Sequence, residues 1–286
     1  MNKPKVLVGI TTKNRADILP KSINSAINQS YENKEIWVYD DCSIDETSKL
    51  SQLYPIVKWT TGSESMGLVF ARNYFMNNLN FDYFCSLDDD AWFLDKGAIE
   101  KAIEILEKDK LIGALGFDML TPDNNHPKSD LPIPLISNNF VGCGHIINLK
   151  AARKVGFYIL NPGFYGCEEK DLCIRLIDKN FKIILFKNMY VWHDKTNISR
   201  DLPKQHRSGV CNDLVFTWRR APFVYLFPSL IVKLWKHFKF AITYNQQPLL
   251  KAFLLGIFDF TKWLITKKKF RVAVSNIGFK RYINLK

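Results

Sequence analysis

The chain has 286 residues, 47% hydrophobic and 14% aromatic, too apolar for a disordered polymer and long enough for one large globular domain plus an appendage. Its six cysteines (Cys42, Cys85, Cys143, Cys167, Cys173, Cys211) show no CxxC pair and no zinc-ligand spacing, which argues against a disulfide scaffold or a zinc module. The net charge of +12 belongs to the tail: residues 201–286 hold 16 Lys and Arg against 3 Asp and Glu, whereas residues 1–200 hold 24 against 25.

From the start, Met1 to Lys5 runs into a strand without an apolar leader or cleavage site, so the expected setting is the reducing cytoplasm. Runs of β-branched and aromatic residues predict strands near Val6–Ile10, Glu35–Tyr39, Ile56–Thr60, Tyr83–Leu87 and Leu111–Phe117. Helical patterns lie between them, near Ala16–Gln29, Asp45–Leu53, Leu68–Leu79 and Lys96–Lys108. This alternation predicts an α/β fold with an open, mostly parallel sheet. The proline-bearing stretch Thr121–Ser137 reads as a long loop, Phe140–Ile147 as a strand, Glu168–Asp178 as a helix, and Phe181–Val191 as two short strands around Lys187-Asn188. Lys195–Arg207, with Arg200, Lys204, His206 and Arg207, reads as a basic loop able to close over a diphosphate, or as a solvated linker.

Ligands of such sheets bind at the carboxyl ends of the strands, and the polar clusters sit there: Thr11-Thr12-Lys13-Asn14-Arg15, Asp40-Asp41-Cys42-Ser43 and Asp88-Asp89-Asp90. Three adjacent aspartates repel one another unless a cation neutralises them, so a hard divalent metal, Mg²⁺ or Mn²⁺, is weighed against a plain acidic turn. With a diphosphate on that metal, Thr11, Thr12, Asp40 and Asp41 can serve a base edge; a carboxylate accepting an imide N–H favours uracil or thymine. Asp40–Ser43 equally suits a helix N-cap turn. Gly67 opens a helix that presents Arg72 toward base or pyrophosphate, or simply to solvent. Glu168-Glu169-Lys170-Asp171 crowds carboxylates at a helix start, where one can deprotonate an incoming hydroxyl or merely favour the helix dipole. His193, at a strand end, is a metal ligand or a structural histidine.

The tail predicts two helices. Over Leu230–Ile242, Leu230, Leu234, Trp235, Phe238, Ala241 and Ile242 share one side and Lys233, Lys236, His237 and Lys239 lie mainly on the other; Leu249–Thr266 is apolar except for one narrow polar arc. Neither reaches the uninterrupted length of a spanning helix. Helices lying in an anionic membrane interface, with Lys267-Lys268-Lys269 and Arg271 toward headgroups, are weighed against a helical subdomain packed on the core. Nucleic acid is not expected, because the aromatic residues are not interleaved with the charges.

Taken in order, Thr12-Lys13-Asn14-Arg15, Asp40-Asp41-Cys42-Ser43, Met66-Gly67 through Ala71-Arg72-Asn73, Leu87-Asp88-Asp89-Asp90 and Glu168-Glu169-Lys170-Asp171 resemble the family 2 glycosyltransferases of GT-A fold. The match spans roughly residues 5–195. The resemblance implies an inverting, metal-dependent, hexosyltransferase-like enzyme that takes a sugar from a nucleoside-diphosphate-sugar, UDP- or dTDP-linked, to a glycan or lipid-linked saccharide in bacterial surface-polysaccharide synthesis. It implies Asp88 and Asp90 as the outer pair of the Asp-x-Asp site with Asp89 between them, and His193 as a further metal or diphosphate ligand. Thr11, Thr12, Asn14, Arg15, Asp40, Asp41, Gly67 and Arg72 then bind the nucleotide-sugar, and Glu169, or Glu168, is the base. Two departures stand out: Glu168-Glu169 replaces the usual Glu-Asp, and Cys42 replaces a glycine. The expected organisation is a catalytic domain over 1–200 and a basic amphipathic membrane-association region over 201–286, peripheral on the inner membrane face. A sugar-nucleotide nucleotidyltransferase requires a glycine- and lysine-rich loop after the first strand, which Thr11–Arg15 is not. An inactive membrane scaffold has no need of the retained carboxylates.

Overall fold

Val6–Thr12 (β1) is buried along nearly its whole length, and strands add to it on both sides. The computed structural model describes residues 3–128, 130–164, 166–195, 201–243, 247–266 and 271–285. The chain divides into two compact units, the first comprising residues 3–158 and 180–195 with Leu285, the second Ile159–Lys179 and residues 201–284. Segment Ile159–Lys179, expected within the 1–200 block, thus clusters with the C-terminal helices.

The first unit continues through α1 (Leu19–Ile27), β2 (Lys34–Asp40), a 3₁₀ turn (Glu46–Lys49), α2 (Leu50–Leu53), β3 (Lys58–Thr61), α3 (Leu68–Met76), β4 (Tyr83–Asp88), β5 (Ala91–Phe93) and α4 (Ala98–Lys108). After them come β6 (Ile112–Leu120), β7 (Ile133–Ser137), β8 (Gly144–Asn148), α5 (Leu149–Val155) and, after an excursion into the second unit, β9 (Lys182–His193). The sheet order is β3-β2-β1-β4-β8-β6-β9-β5, with β7 also on β9. β1, β2, β3 and β4 run parallel, β6 and β9 run parallel, and β8 is antiparallel between β4 and β6. Helices cover the sheet with apolar stripes at helical spacing, such as Leu19, Ile23 and Ala26 on α1 and Ala98, Ile99, Ala102, Ile103 and Leu106 on α4. Each fully buried aliphatic side chain contributes roughly 1.5–3 kcal/mol over its exposed state.

Two expectations are corrected here. Phe181–Val191 is not two strands but part of the single β9, which bulges: pairing with β6 jumps from Phe117↔Phe186 to Asp118↔Tyr190, and Asn188 takes a left-handed φ of 62°. Asp118 holds the bulge, accepting from the Asn188 N–H at 3.2 Å and pairing with Lys187 at 2.8 Å. The expected loop Thr121–Ser137 ends in β7, where Pro134 is tolerated because only one side of the strand is paired.

The second unit holds α6 (Glu168–Asp178), α7 (Leu202–Arg220), α8 (Phe223–Thr243), α9 (Gln247–Thr266) and α10 (Asn276–Asn284). Val210, Cys211, Leu214 and Val215 of α7 pack with Ala241 of α8 and Leu249, Phe253, Phe260 and Trp263 of α9. The expected basic loop is helical from Leu202 onward: Asp201 caps α7 by accepting from the Lys204 N–H at 2.9 Å, and Pro203 suits the first turn. Arg207 is not a lid cation, since it makes two hydrogen bonds to Asp259 of α9 at 2.5 and 2.7 Å, and His206 is buried. Arg200 and Lys267–Lys269 lie outside the described residues. Arg271, expected to face headgroups, donates to the Ala221 carbonyl at 2.8 Å. Among the described residues no helix is long and apolar enough to cross a membrane.

Candidate active site

The carboxyl ends of β1, β2 and β4 lie side by side, with Thr11 in register with both Tyr39 and Asp88, and Thr12 opposite Asp40. The turns that follow are tied together. Asn14, left-handed at φ 53°, donates its N–H to the Ser43 hydroxyl at 2.8 Å and accepts from the Ile44 N–H at 2.8 Å; the Arg15 N–H donates to Thr47 at 3.0 Å. The two aspartates after β2 differ in what they hold. Asp41 accepts from the N–H groups of Met66 (2.7 Å) and Gly67 (3.1 and 3.2 Å) and from the Ser65 hydroxyl (2.7 Å), fixing the turn into α3. Gly67 sits at φ 82°, where a side chain would be strained. Asp40 accepts from the Ser43 N–H through Oδ1 at 2.9 Å, while its buried Oδ2 has no partner among the described residues. A buried, unsatisfied carboxylate oxygen costs about 1–3 kcal/mol or more, so it marks a place for a donor.

Asp88, Asp89 and Asp90 follow β4, and the sheet brings His193 to them. Ala91 of β5 pairs with His193 of β9, Trp92 stacks on Trp192 at 6.1 Å, and the Asp194 N–H donates to the Asp90 carbonyl at 2.8 Å. Asp88, Asp90 and His193 thereby offer ligand atoms all within 4.8 Å of one another, and His193 Nε2 lies 3.2 Å from Asp90 Oδ1. Two carboxylate oxygens and an imidazole suit Mn²⁺ or Mg²⁺ with open positions left over. His193 Nδ1 is buried without a hydrogen-bond partner among the described residues, so that nitrogen is not held by a structural hydrogen bond. The donor set therefore fits such an ion. Burial pushes Asp88 above the usual carboxylate range, with Arg72 opposing and Asp90 adding to the rise. Burial, then the Asp90 charge, pushes Asp89 up to about 7, against the pull of Thr12 and Arg15. Crowded carboxylates of this kind are what a divalent cation relieves.

Arg72 is not a solvent-facing arginine: it is 1% exposed, on the inward face of α3 with Ala71, Phe75 and Met76. Its guanidinium donates to Asp88 Oδ1 at 3.0 Å and to the Gly142 carbonyl at 2.8 Å, beside the Tyr158 ring. The same carbonyl lies 3.0 Å from Nδ1 of buried His145, whose Nε2 is 2.8 Å from the Tyr158 hydroxyl. Since a carbonyl only accepts, His145 is the Nδ1–H tautomer, kept neutral by burial and by the Arg72 charge.

In the second unit, Glu168 and Glu169 are half-buried in the first turn of α6. Its N-cap residue, Cys167, makes no side-chain cap hydrogen bond; Gly166 (φ 89°) and Cys167 (φ 78°) are both left-handed immediately before the helix. Asp171, in the same acidic first turn as the dipole reading expects, is buried and accepts from Arg220 Nε (2.6 Å) and Arg175 Nε (2.7 Å).

Residues 7–154, more than half of the chain, match the family model described as Glycosyl transferase family 2. The chain belongs to glycosyl transferase family 2. This family 2 member is 27% identical over 154 residues to TuaG of Bacillus subtilis, a protein named for teichuronic acid biosynthesis, covering 49% of this chain and 60% of that one. It is 30% identical over 172 residues to an uncharacterized glycosyltransferase of Rickettsia typhi, covering 54% of each. The chain thus spans about half the length of that relative, and 31% of one from Rickettsia conorii. Its fold is that of the mannosyltransferase PcManGT of Pyrobaculum calidifontis, solved with GDP-Man and Mn²⁺ (TM-score 0.62, 13% identity, 94% of this chain and 89% of that one). It is also that of S. aureus TarS 1-349 with UDP-GlcNAc (TM-score 0.66, 14% identity, 90% and 80%). The expected GT-A-like α/β fold with a mostly parallel sheet is therefore the observed one, followed by C-terminal helices.

For this family 2 chain, the structure gathers Thr11, Thr12, Asn14, Arg15, Asp40, Asp41, Gly67, Asp88, Asp89, Asp90 and His193 around the strand ends of the first unit and puts Arg72 beneath them. Glu168 and Glu169 stand on α6 of the second. Sequence reasoning missed the buried supports, Arg175, Asn212, Asp213 and Arg220. The available signal was a pair of polar residues, Asn212-Asp213, set in the run Val210–Phe216.

Proposed function

We propose that this protein transfers a sugar from a nucleoside-diphosphate-sugar, UDP- or dTDP-linked, to a hydroxyl of a glycan or lipid-linked acceptor in cell-surface polysaccharide synthesis, with inversion at the anomeric carbon. The observation that carries the reading is the convergence of Asp88, Asp90 and His193 at the carboxyl edge of a GT-A-like sheet. The names of TuaG and of TarS with UDP-GlcNAc support the substrate class.

In this reading Asp40 Oδ2, unsatisfied in its buried position, accepts the imide N–H of a uracil or thymine base. Asp41 spends both oxygens on the 65–67 turn and so shapes the pocket wall. Thr11, Thr12, Asn14, Arg15 and Asp89 line the remaining strand ends, and Arg72 holds Asp88 in place. Asp88, Asp90 and His193 hold Mn²⁺ or Mg²⁺, which when bound supplies positive charge against a leaving diphosphate. Glu169, or Glu168 beside it, takes the proton from the acceptor hydroxyl as that oxygen bonds to the anomeric carbon and the nucleoside diphosphate departs.

The helical unit supports a membrane-facing role. On α8, Val224, Phe227, Ile231 and Trp235 form one exposed stripe, and on α9, Leu250, Leu254, Phe258 and Ile265 form another. At about 100° per residue, exposed Lys239 and Lys236 border the first stripe, and Lys251 and Lys262 the second. Apolar stripes edged by lysines fit the interface of an anionic bilayer, with the protein peripheral on the cytoplasmic face.

Calorimetric titration of the purified chain with UDP, dTDP and GDP, with and without Mn²⁺, tests the enzymatic reading. Asp90→Ala should abolish metal-dependent binding, while Glu169→Gln should bind nucleotide normally and lose transfer. A wild-type chain that binds no nucleoside diphosphate under either condition refutes it.

A further inference from the structure

Two adjacent residues of α7 are buried where a helix of this composition would be expected to bury aliphatic groups. Asn212 is 0% and Asp213 4% exposed. Asn212 accepts from the Gly163 N–H at 2.8 Å through Oδ1 and donates through Nδ2 to the carbonyls of Gly163 (3.0 Å) and Gly166 (3.1 Å). The fit is close: a Cβ on Gly163 would lie 2.9 Å from Asn212 Oδ1 and 3.0 Å from the Ser208 backbone. Asp213 Oδ1 accepts from Cys167 Sγ at 3.1 Å and Lys170 Nζ at 3.1 Å, and Lys233 (3.4 Å) and His237 (3.1 Å, to Oδ2) approach from α8. Burial alone would raise this carboxyl; the donors and cations around it hold it well below the usual range, so it stays ionised. Two helical turns further along, Arg220 reaches Asp171.

All these contacts converge on the few residues around Glu168 and Glu169. The turn into α6 needs them, because Gly166 and Cys167 take left-handed conformations and the N-cap residue Cys167 makes no side-chain cap hydrogen bond. A non-glycine residue such as Cys167 held at φ 78° costs of the order of 1 kcal/mol and persists only where its surroundings enforce it. We propose that α7 sets the position of the Glu168–Glu169 turn, with Asn212 and Asp213 as its positioning residues. Asn212 fixes the backbone entering the turn; Asp213 grips Cys167 and Lys170, the residues on either side of the two glutamates. The proposal rests on the reading of Glu169 or Glu168 as the base, and it adds the residues that hold that base in place.

The test uses the full chain carrying Asp213→Asn, Asn212→Ala or the milder Cys167→Ala, each checked for an intact thermal transition. Hydrogen exchange of the amides of 166–171 should quicken about tenfold or more, while the ends of β1 and β4 exchange as in the wild type. UDP binding with Mn²⁺ should stay within about twofold. Turnover should lose about 10- to 100-fold in kcat with donor KM nearly unchanged, a split that general destabilisation does not produce. Unaltered exchange over 166–171 in a folded variant overturns the proposal, as does faster exchange with undiminished kcat or a parallel loss of UDP affinity. Should the wild type bind no nucleotide, the enzymatic reading fails by itself, and the exchange measurement still decides whether α7 holds the turn.

Discussion

Arg72 shows what a single residue contributes beneath the surface of the site. Its side chain is 1% exposed, and its guanidinium spans Asp88 Oδ1 and the Gly142 carbonyl. Removing it takes a charged donor from the partly buried Asp88 carboxylate and leaves the Gly142 carbonyl with His145 Nδ1–H alone. Asp88 is 24% exposed and water recovers part of the loss, so Arg72→Met should destabilise by about 2 kcal/mol, read from urea unfolding at pH 7. Unchanged stability would mean the pair contributes nothing. The burial was legible in part, since Leu68, Arg72, Phe75 and Met76 fall at helical spacing, which places the arginine on an apolar face. Adjacent carboxylates announce Asp88–Asp90 in the same local way. His193 has no local signal tying it to them, because the two segments meet only through the pairing of Ala91 with His193.

At the scale of elements, the strands and helices that repeat a clear period were legible, and the ones missed were short or held by distant partners. β5 has three residues and exists because Ala91–Phe93 lies along the end of β9; the bulge at Asn188 depends on Asp118, seventy residues away. The start of α7 was readable from its Asp-Leu-Pro cap but was masked by its cations, of which Arg207 is neutralised by Asp259. α7 also carries a prediction. His206 is buried between the rings of His237 (5.4 Å) and Phe240 (4.8 Å), its Nε2 has no hydrogen-bond partner among the described residues, and burial, with His237, lowers its pKa to about 4. The unfolded chain, titrating near 6.5, binds this proton more readily than the folded one. Stability from neutral His206 is therefore complete above about pH 6.5 and is lost as pH falls toward about 4. Thermal melts across that window should show a decline in the wild type that His206→Phe flattens. An equal decline in both would assign the acid sensitivity to other groups; Asp213, held well below the usual carboxylate range, acts at still lower pH.

Across the whole molecule the charge is divided as sharply as the structure: the net +12 comes from residues 201–286, the part that forms the C-terminal helices. The face expected to be apolar on α8 turned out to be two faces. Leu230, Leu234 and Phe238 pack into the helical unit, whereas Trp235 and Ile242 join Val224, Phe227 and Ile231 in the exposed stripe. Sequence periodicity gives the angles of these residues but not where the packed arc ends, because α9 supplies the other half of that core. An exposed row of aliphatic and aromatic groups beside lysines is costly in water unless something covers it. If an anionic bilayer does so, both parts of the interaction are separable by experiment. Vesicles containing phosphatidylglycerol should bind the protein more tightly than neutral phosphatidylcholine vesicles, and raising NaCl from about 0.05 to 0.5 M should weaken that preference as the Debye length shrinks from more than 10 Å to about 4 Å. The double substitution Ile231→Ser and Trp235→Ser, at exposed positions, should leave the thermal transition within a degree or two and reduce vesicle binding at least about a hundredfold, the loss of two buried apolar side chains at roughly 1.5–3 kcal/mol each. Full vesicle binding by that variant, at either salt concentration, would reject the stripe as the membrane-contacting surface and leave the lysines alone to explain any attraction.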